Sequence, residues 1–230
     1  MEPLANFDRL APHYDWLEAL TAGPRLQRAR TALLGELAGR RNILSVGEGH
    51  GRFAAACTAR FPDARLTCVE ASARMIARAR RRLAARSQTN PDGRSPSRTA
   101  APVAGNVIWH QADVLAWTPP PEKFDAIATC FFLDCFAPRD LTAVVAKLAR
   151  GAARDALWLV VDFAVPARGL ARHRARFVHA LMYAFFRVAT RLPARSLTPP
   201  DDLLAAHGFQ LATRREFEWG LIRADLWRRP

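Results

Sequence analysis

The feature that most constrains this chain is the run Ser45-Val46-Gly47-Glu48-Gly49-His50-Gly51, which closes the apolar stretch Asn42–Val46 and opens onto a helical segment, Arg52–Arg60. A short apolar run ending in alternate glycines reads as a buried strand that turns sharply into a helix. Glycines there let the backbone bend tightly and let a ligand approach without a Cβ in the way. Roughly twenty residues further on, Glu70 closes the next apolar run, Leu66–Val69. A carboxylate at that place can accept hydrogen bonds from both hydroxyls of a ribose.

The alternation of strand and helix continues beyond Glu70. Ser72 is placed to N-cap a helix over Ala73–Arg86, because its hydroxyl can accept from free backbone N–H groups of the first turn. Val107–His110 reads as a third strand closing on Asp113, Phe124–Phe132 as a fourth, Leu141–Ala149 as a helix and Leu157–Phe163 as a fifth strand. Such alternation predicts a parallel sheet with helices on both faces. Asp201–Ala206 then forms a short helix stopped by Gly208, and Phe209–Glu218 and Leu221–Trp227 form two strands joined at Trp219-Gly220, a hairpin. The expected fold is a doubly wound, Rossmann-like α/β sheet of seven strands, mostly parallel, with a C-terminal antiparallel hairpin and a small helical cap.

At 230 residues the chain suits one domain. Its parts would be N-terminal helices over 1–40, a core over 41–163 with a flexible loop at 87–106, a helical cap over 164–198, and a helix and hairpin over 199–230. The loop assignment rests on a stretch rich in Ser, Pro, Gly, Thr and Asn that has almost nothing to bury. No apolar run reaches the roughly 18–20 residues needed to span a bilayer. The opening residues lack the basic-then-apolar order of a signal peptide, so a cytoplasmic protein is expected. Cys57, Cys68, Cys130 and Cys135 show no metal-ligand spacing and are expected as reduced thiols. No metal site is expected.

The formal charge of +13 points to nucleic acid, an anionic membrane or an acidic substrate as partners. Nearly all of it is arginine in an alanine-rich chain, which a composition bias would also produce. Two cofactors suit the glycine loop. The dinucleotide fingerprint is GxGxxG, but here the third glycine comes one place early, at Gly51, with Arg52 at the fingerprint position. A glycine-rich turn with no ligand is also compatible with the loop alone.

Val46 to Gly51, Val69-Glu70-Ala71-Ser72, Gln111-Ala112-Asp113 and Phe124-Asp125-Ala126-Ile127 resemble, in order and spacing, the motifs of class I S-adenosylmethionine-dependent methyltransferases. The opening segment Phe7-Asp8-Arg9-Leu10-Ala11-Pro12-His13-Tyr14-Asp15 is similar to the start of the quinone-biosynthesis C-methyltransferases. The resemblance implies S-adenosylmethionine as cofactor. Gly47, Gly49 and Gly51 would line its methionine part, Glu70 would hold the ribose, and Asp113 would accept from the adenine amino group with Val114 and Ala71 against the ring. Cys130 and Phe131 would pass close to the cofactor, and Tyr14 would close over the methionine end. The chain departs from the family at Ser45, where an acidic residue usually helps to bind the cofactor's amino group; Glu48 is the residue expected to compensate.

Methyl transfer is an in-line displacement at a sulfonium carbon, so the protein's main task is to hold the acceptor close and aligned. A base is needed only where the acceptor must lose a proton. Asp134, Asp162 and His13 are the candidates for that place, with His173, His179 and Tyr183 on the cap. Phe177, Tyr183, Phe185 and Phe186 either pack the cap or wall an apolar acceptor site. Arg168, Arg172, Arg174 and Arg176 with the apolar stripe of 168–191 would suit peripheral contact with an anionic membrane. The activity expected is methyl transfer to a small, hydrophobic acceptor such as a quinone precursor, a phenol or a lipid. The alternatives are an RNA or protein methyltransferase using the arginine surface, a nicotinamide-dependent oxidoreductase, and a non-catalytic cofactor-binding protein. Against the first, Cys130-Phe131-Phe132-Leu133 stands where an Asn/Asp-Pro-Pro-aromatic motif would be expected.

Overall fold

Continuous apolar runs in the middle of the chain form strands that are buried on both faces. The computed structural model describes residues 23–88, 106–166, 168–190 and 197–230. Its elements are α1 (Gly23–Thr31), β1 (Asn42–Val46), α2 (Arg52–Arg60), β2 (Arg65–Glu70), α3 (Ala73–Gln88), β3 (Val107–Gln111), β4 (Phe124–Cys130), α4 (Pro138–Gly151), β5 (Ala152–Phe163), α5 (Gly169–Thr190), α6 (Asp201–Ala206), β6 (Gln210–Phe217) and β7 (Ile222–Arg228). The strands hydrogen-bond in the order β3-β2-β1-β4-β5-β7-β6. β1 to β5 are mutually parallel, and β7 runs antiparallel to both β5 and β6. This is the expected seven-stranded sheet with its terminal hairpin.

Residues alternate between two cores as they alternate along each strand. Ile43, Cys68, Ala128 and Leu159 meet Ala29, Leu33, Leu37, Phe53 and Cys57 on one face. Leu44, Ile127, Trp158 and Val160 meet Leu141, Val144, Leu148 and Leu204 of α4 and α6 on the other. The Phe124-Asp125 pair ties the sheet's centre at its base. The Asp125 carboxylate accepts from the N–H of Arg41 at 2.7 Å and of Asn42 at 3.0 Å, aligning the starts of β1 and β4. Ser72 caps α3 as expected, its Oγ accepting from the Met75 N–H at 3.1 Å.

Several boundaries differ from the sequence reading. β4 stops at Cys130 rather than Phe132, because Phe131 takes φ +54°, outside the strand region. β5 begins five residues earlier than its apolar pattern, at Ala152; a register shift opposite Phe124/Ala126 and φ +59° at Asp155 explain why the exposed Arg154-Asp155 pair hides the strand's first part. α3 runs on to Gln88 and takes two residues from the expected loop. Most of that loop, 89–105, lies outside the described residues, as do His13 and Tyr14 and the rest of 1–22. The expected cap is chiefly one 22-residue helix, α5; Tyr183, Phe185 and Phe186 lie on it, with side chains outside those described.

The hairpin is held by charge as well as by its ladder. Arg214 and Asp225 are register partners on β6 and β7. The Arg214 guanidinium donates to both oxygens of the buried Asp225, from Nε and Nη2, each at 2.8 Å. Asp201, at the start of α6, accepts from Arg214 at 2.6 Å and from Arg223 at 2.8 Å. One cluster thus pins α6, β6 and β7 together. Replacing Asp225 with Ala leaves two guanidinium groups short of their shared buried carboxylate and is expected to cost about 3 kcal/mol. Urea denaturation of the variant and the parent protein checks this, and an unchanged midpoint would refute it.

Candidate functional site

Strand order reverses beside β1, where β2 lies on one side and β4 on the other. In open α/β sheets such a reversal leaves a crevice at the carboxyl ends of the strands. Two adjoining cavities occupy it, sharing Gly47, Gly49 and Phe131. The larger, of about 110 Å³, is bordered by Val46, Gly47 and Gly49 from β1, Glu70 and Ala71 from β2, Asp113 and Val114 after β3, and Phe131 and Phe132 after β4. The second is bordered by Arg30, Ser45, Glu48, His50, Arg52 and Cys130.

The glycine loop is bent as its composition implies. Gly47, Gly49 and Gly51 all take positive φ (68°, 61° and 85°). At Gly47 a Cβ would stand 2.0 Å from the Phe132 ring, so the ring rests directly on the glycine. Gly51 differs from what the resemblance implied: it lines neither cavity. A Cβ there would stand 2.7 Å from the Cα and Cβ of Ala79, so this glycine allows α2 and α3 to approach closely. His50 serves the loop too, its Nε2 accepting from Arg52 Nε at 2.7 Å and its carbonyl from Arg82 Nε at 3.0 Å.

Glu70 holds the loop against the next helix. Its Oε2 accepts from the Gly49 N–H and its Oε1 from the Ser72 N–H, each at 2.9 Å. Its side chain also borders the larger cavity. Asp113 is fixed in a similar way, its Oδ1 accepting from the Leu115 N–H at 2.9 Å.

The second cavity holds the site's most perturbed acid. Glu48 is buried, with Oε2 accepting from the Ser45 hydroxyl at 2.5 Å and Oε1 from the Ala54 N–H at 2.8 Å. Burial pushes its carboxyl up from 4.5 to about 7, against the lowering effect of these two hydrogen bonds and of the Arg30 charge. The Arg30 guanidinium, also buried, lies 4.9 Å over the Phe131 ring. Phe131 in turn packs on Phe163 at 5.3 Å. Its positive φ is a strained position of the sort that collects at functional sites, and its N–H donates to the Val161 carbonyl at 2.6 Å.

Asp134 and Asp162 were expected to face an acceptor. Both are buried, neither borders either of these two cavities, and they lie beside each other. Burial, then the neighbouring Asp134 charge, raises the Asp162 carboxyl well above the usual carboxylate range. Burial raises that of Asp134 as well. Their shared burial disfavours the charged form of both, and the Asp162 carboxyl is raised the more strongly. Asp162 Oδ2 also accepts from the N–H groups of Leu133 and Asp134, at 3.1 and 3.3 Å. Those bonds fix the turn Leu133–Cys135 that carries Phe132, Cys135 and Phe136 to the larger cavity's wall.

Residues 43–155 match the family model described as a methyltransferase domain. That is the family whose motifs the sequence resembles, and the match covers just under half of the chain. The match favours S-adenosylmethionine over a nicotinamide as the ligand of the glycine loop. Among solved structures, the mitomycin 7-O-methyltransferase superposes with a TM-score of 0.70 at 20% identity, over 97% of this chain and 60% of its own. The Burkholderia thailandensis 1,6-didemethyltoxoflavin-N1-methyltransferase, solved with its substrate and S-adenosylhomocysteine, gives 0.64 at 17% identity over 100% and 92% of the two chains. Magnesium protoporphyrin IX methyltransferase from Synechocystis gives 0.60 at 15%, over 89% and 83%. The chain thus spans about 60% of the length of the first of these. No curated protein matches the sequence.

Glu48 is the residue expected to compensate for the lack of an acid at Ser45. Glu48 sits against the Ser45 hydroxyl, where its carboxylate can reach the second cavity. Arg30 is one of the cavity residues that sequence reasoning missed. Its α1 position lies some fifteen residues before the loop, and a single arginine among many carries no local signal.

The raised Glu48 carboxyl has a consequence for stability. Its folded value, about 7, exceeds its ordinary value of 4.5. The contribution is therefore full below 4.5 and is lost as pH rises through 7. Relative to Glu48→Gln, the ligand-free protein is expected to lose about 2–3 kcal/mol between pH 5 and pH 8. Urea denaturation of both proteins at the two pH values tests this, and a gap that does not change with pH would refute the burial of an ionisable Glu48.

Proposed function

We propose that this chain transfers a methyl group from S-adenosylmethionine to a small, apolar acceptor. The observation that carries the reading is the convergence, at one crevice, of Glu70, Asp113 and the bent glycine loop with a second cavity holding Glu48 and Arg30. The charges of that second cavity complement an amino acid: Glu48 opposite an ammonium group and Arg30 opposite a carboxylate. Gly47 and Gly49 then accommodate the methionine part, Glu70 takes the ribose hydroxyls, and Asp113 takes the adenine amino group with Ala71 and Val114 against the ring. Cys130 and Phe131 border the methionine end. Burial holds the Cys130 thiol protonated, which removes it as a competing nucleophile beside the methyl group.

When bound, the cofactor supplies an electrophilic methyl carbon, and the chain's own residues bind, orient and exclude water. Asp162 is a positioning residue in this scheme. It holds the turn after β4, and with it Phe132 and Phe136, rather than touching the acceptor. The apolar border made by Phe131, Phe132 and Phe136 supports an apolar acceptor, and the small molecules named for the similar structures support a small one.

The deciding experiment is calorimetry with S-adenosylhomocysteine and, in parallel, NADH, followed by transfer of labelled methyl to phenols, quinones and lipids beside RNA and protein acceptors. Binding of the first ligand alone and labelling of a small molecule are expected; labelled RNA or protein would overturn the acceptor class. Glu70→Ala should weaken S-adenosylhomocysteine binding about 10–100-fold, the worth of charge-assisted hydrogen bonds of roughly 1.5–3 kcal/mol. Arg30→Gln should act in the same direction. Unchanged affinity in either variant, with a cooperative melt retained, would remove that residue from the site.

A further inference from the structure

Between Asp162 and Asp201 the chain contains no acidic residue and seven arginines. α5 occupies most of that interval and presents a two-sided character. Ala175 and His179 face inward, with the His179 ring 5.7 Å from Phe163. Leu170, Arg174 and Phe177, spaced as one helical face, point outward, and Leu170 and Phe177 are 88% and 72% exposed. Arg168, Arg172 and Arg176 are exposed around them.

A second element joins this face. Trp219, at the tip of the turn between β6 and β7, is 79% exposed. The Arg174 guanidinium lies 5.2 Å from the Trp219 ring centroid and donates to the Glu218 carbonyl at 3.3 Å. Val165, also exposed, leads into the helix. The nearby Glu218 carboxylate is paired with Arg25 at 3.2 Å, so the acid at this edge is matched by a cation. Large apolar side chains from two separate elements thus stand uncovered within a ring of arginines. Such an arrangement is costly in water unless something covers it.

We propose that the outward face of α5 and the Trp219 turn form a docking surface for an anionic lipid bilayer. The arginines complement the headgroup phosphates, while Leu170, Phe177 and Trp219 enter the boundary between headgroups and acyl chains. Nucleic acid would meet the arginines but offers no complement to exposed Leu170 and Val165. A second copy docking face to face would set arginines against arginines. No helix among the described residues is long and apolar enough to cross a membrane, so the contact is peripheral. The surface also adjoins the candidate site, since Phe163 touches His179 on one side and Phe131 on the other. An apolar acceptor dissolved in the bilayer would be delivered on this side. The docking itself does not rest on the cofactor reading.

Flotation of the full chain with vesicles, without cofactor, tests the proposal. Binding is expected to vesicles of phosphatidylcholine mixed with phosphatidylglycerol, to be weak or absent on phosphatidylcholine alone, and to fall as salt is raised. Phe177→Ser and Trp219→Ser should each lower the partition coefficient about tenfold, and the pair Arg172→Gln with Arg176→Gln by about tenfold or more. S-adenosylhomocysteine affinity and the melting curve should stay as in the parent protein, which separates lost docking from lost folding. The proposal is overturned by absence of binding to anionic vesicles, or by binding that these substitutions leave unchanged. It is equally overturned if the face serves only a single-stranded RNA oligonucleotide, or only a dimer that Phe177→Ser dissociates.

Discussion

The site depends on one topological constraint: the chain must leave β3 and re-enter the sheet on the far side of β1. Because β4 pairs with β1 on the edge opposite β2, the connections at the carboxyl ends diverge and leave an unfilled crevice between them. Every residue of the two cavities lies at that end of a strand, or on an element packed against it. The parallel pairing of β1, β2, β4 and β5 makes the crevice rigid, since these strands are buried nearly throughout. Shifting any one by a residue would exchange the contents of the two cores.

Within the crevice the governing problem is how to keep carboxylates in poorly solvated places. The chain uses a different solution for each. Glu70 and Asp113 are anchored by backbone N–H donors and stay partly open to the cavity. Glu48 is buried, bonded to Ser45 and to the first turn of α2, and raised toward neutrality. Asp162 is buried beside Asp134, its carboxyl raised by that burial, and it uses one oxygen to hold the turn after β4. In each case the acid orders a segment bordering the cavities, so loop geometry and charge are set by the same groups. The hairpin cluster of Asp225, Asp201, Arg214 and Arg223 does for the sheet's far edge what Asp125 does for its centre.

Much of the candidate site was legible in the sequence. Glu70 and Asp113 stand one residue or a few beyond apolar strands, and Gly47 and Gly49 interrupt a strand–helix junction; each sits where local pattern alone places the strand's end. Asp134 and Asp162 were expected to face an acceptor and lie beside each other in the fold, a juxtaposition that spacing along the chain does not reveal. Arg30 was invisible for a related reason. Its contact with Phe131 joins residues a hundred positions apart. Gly51 belonged to the motif but turned out to serve the approach of α3, through Ala79.

Periodicity and punctuation in the sequence determined the elements and their order: buried strands as unbroken apolar runs, helices as spaced ones, turns as glycine and proline. They carried the resemblance to methyltransferases, too, since those motifs lie at strand ends and are therefore local. The register of β4 and β5, the inward turn of Glu48, the pairing of Asp134 with Asp162 and the exposure of Leu170, Phe177 and Trp219 were decided only by the tertiary structure. Each is a property of two segments distant in the chain. Which groups share a desolvated space, and which apolar faces are left without a neighbour, follows from packing rather than from any short stretch of residues.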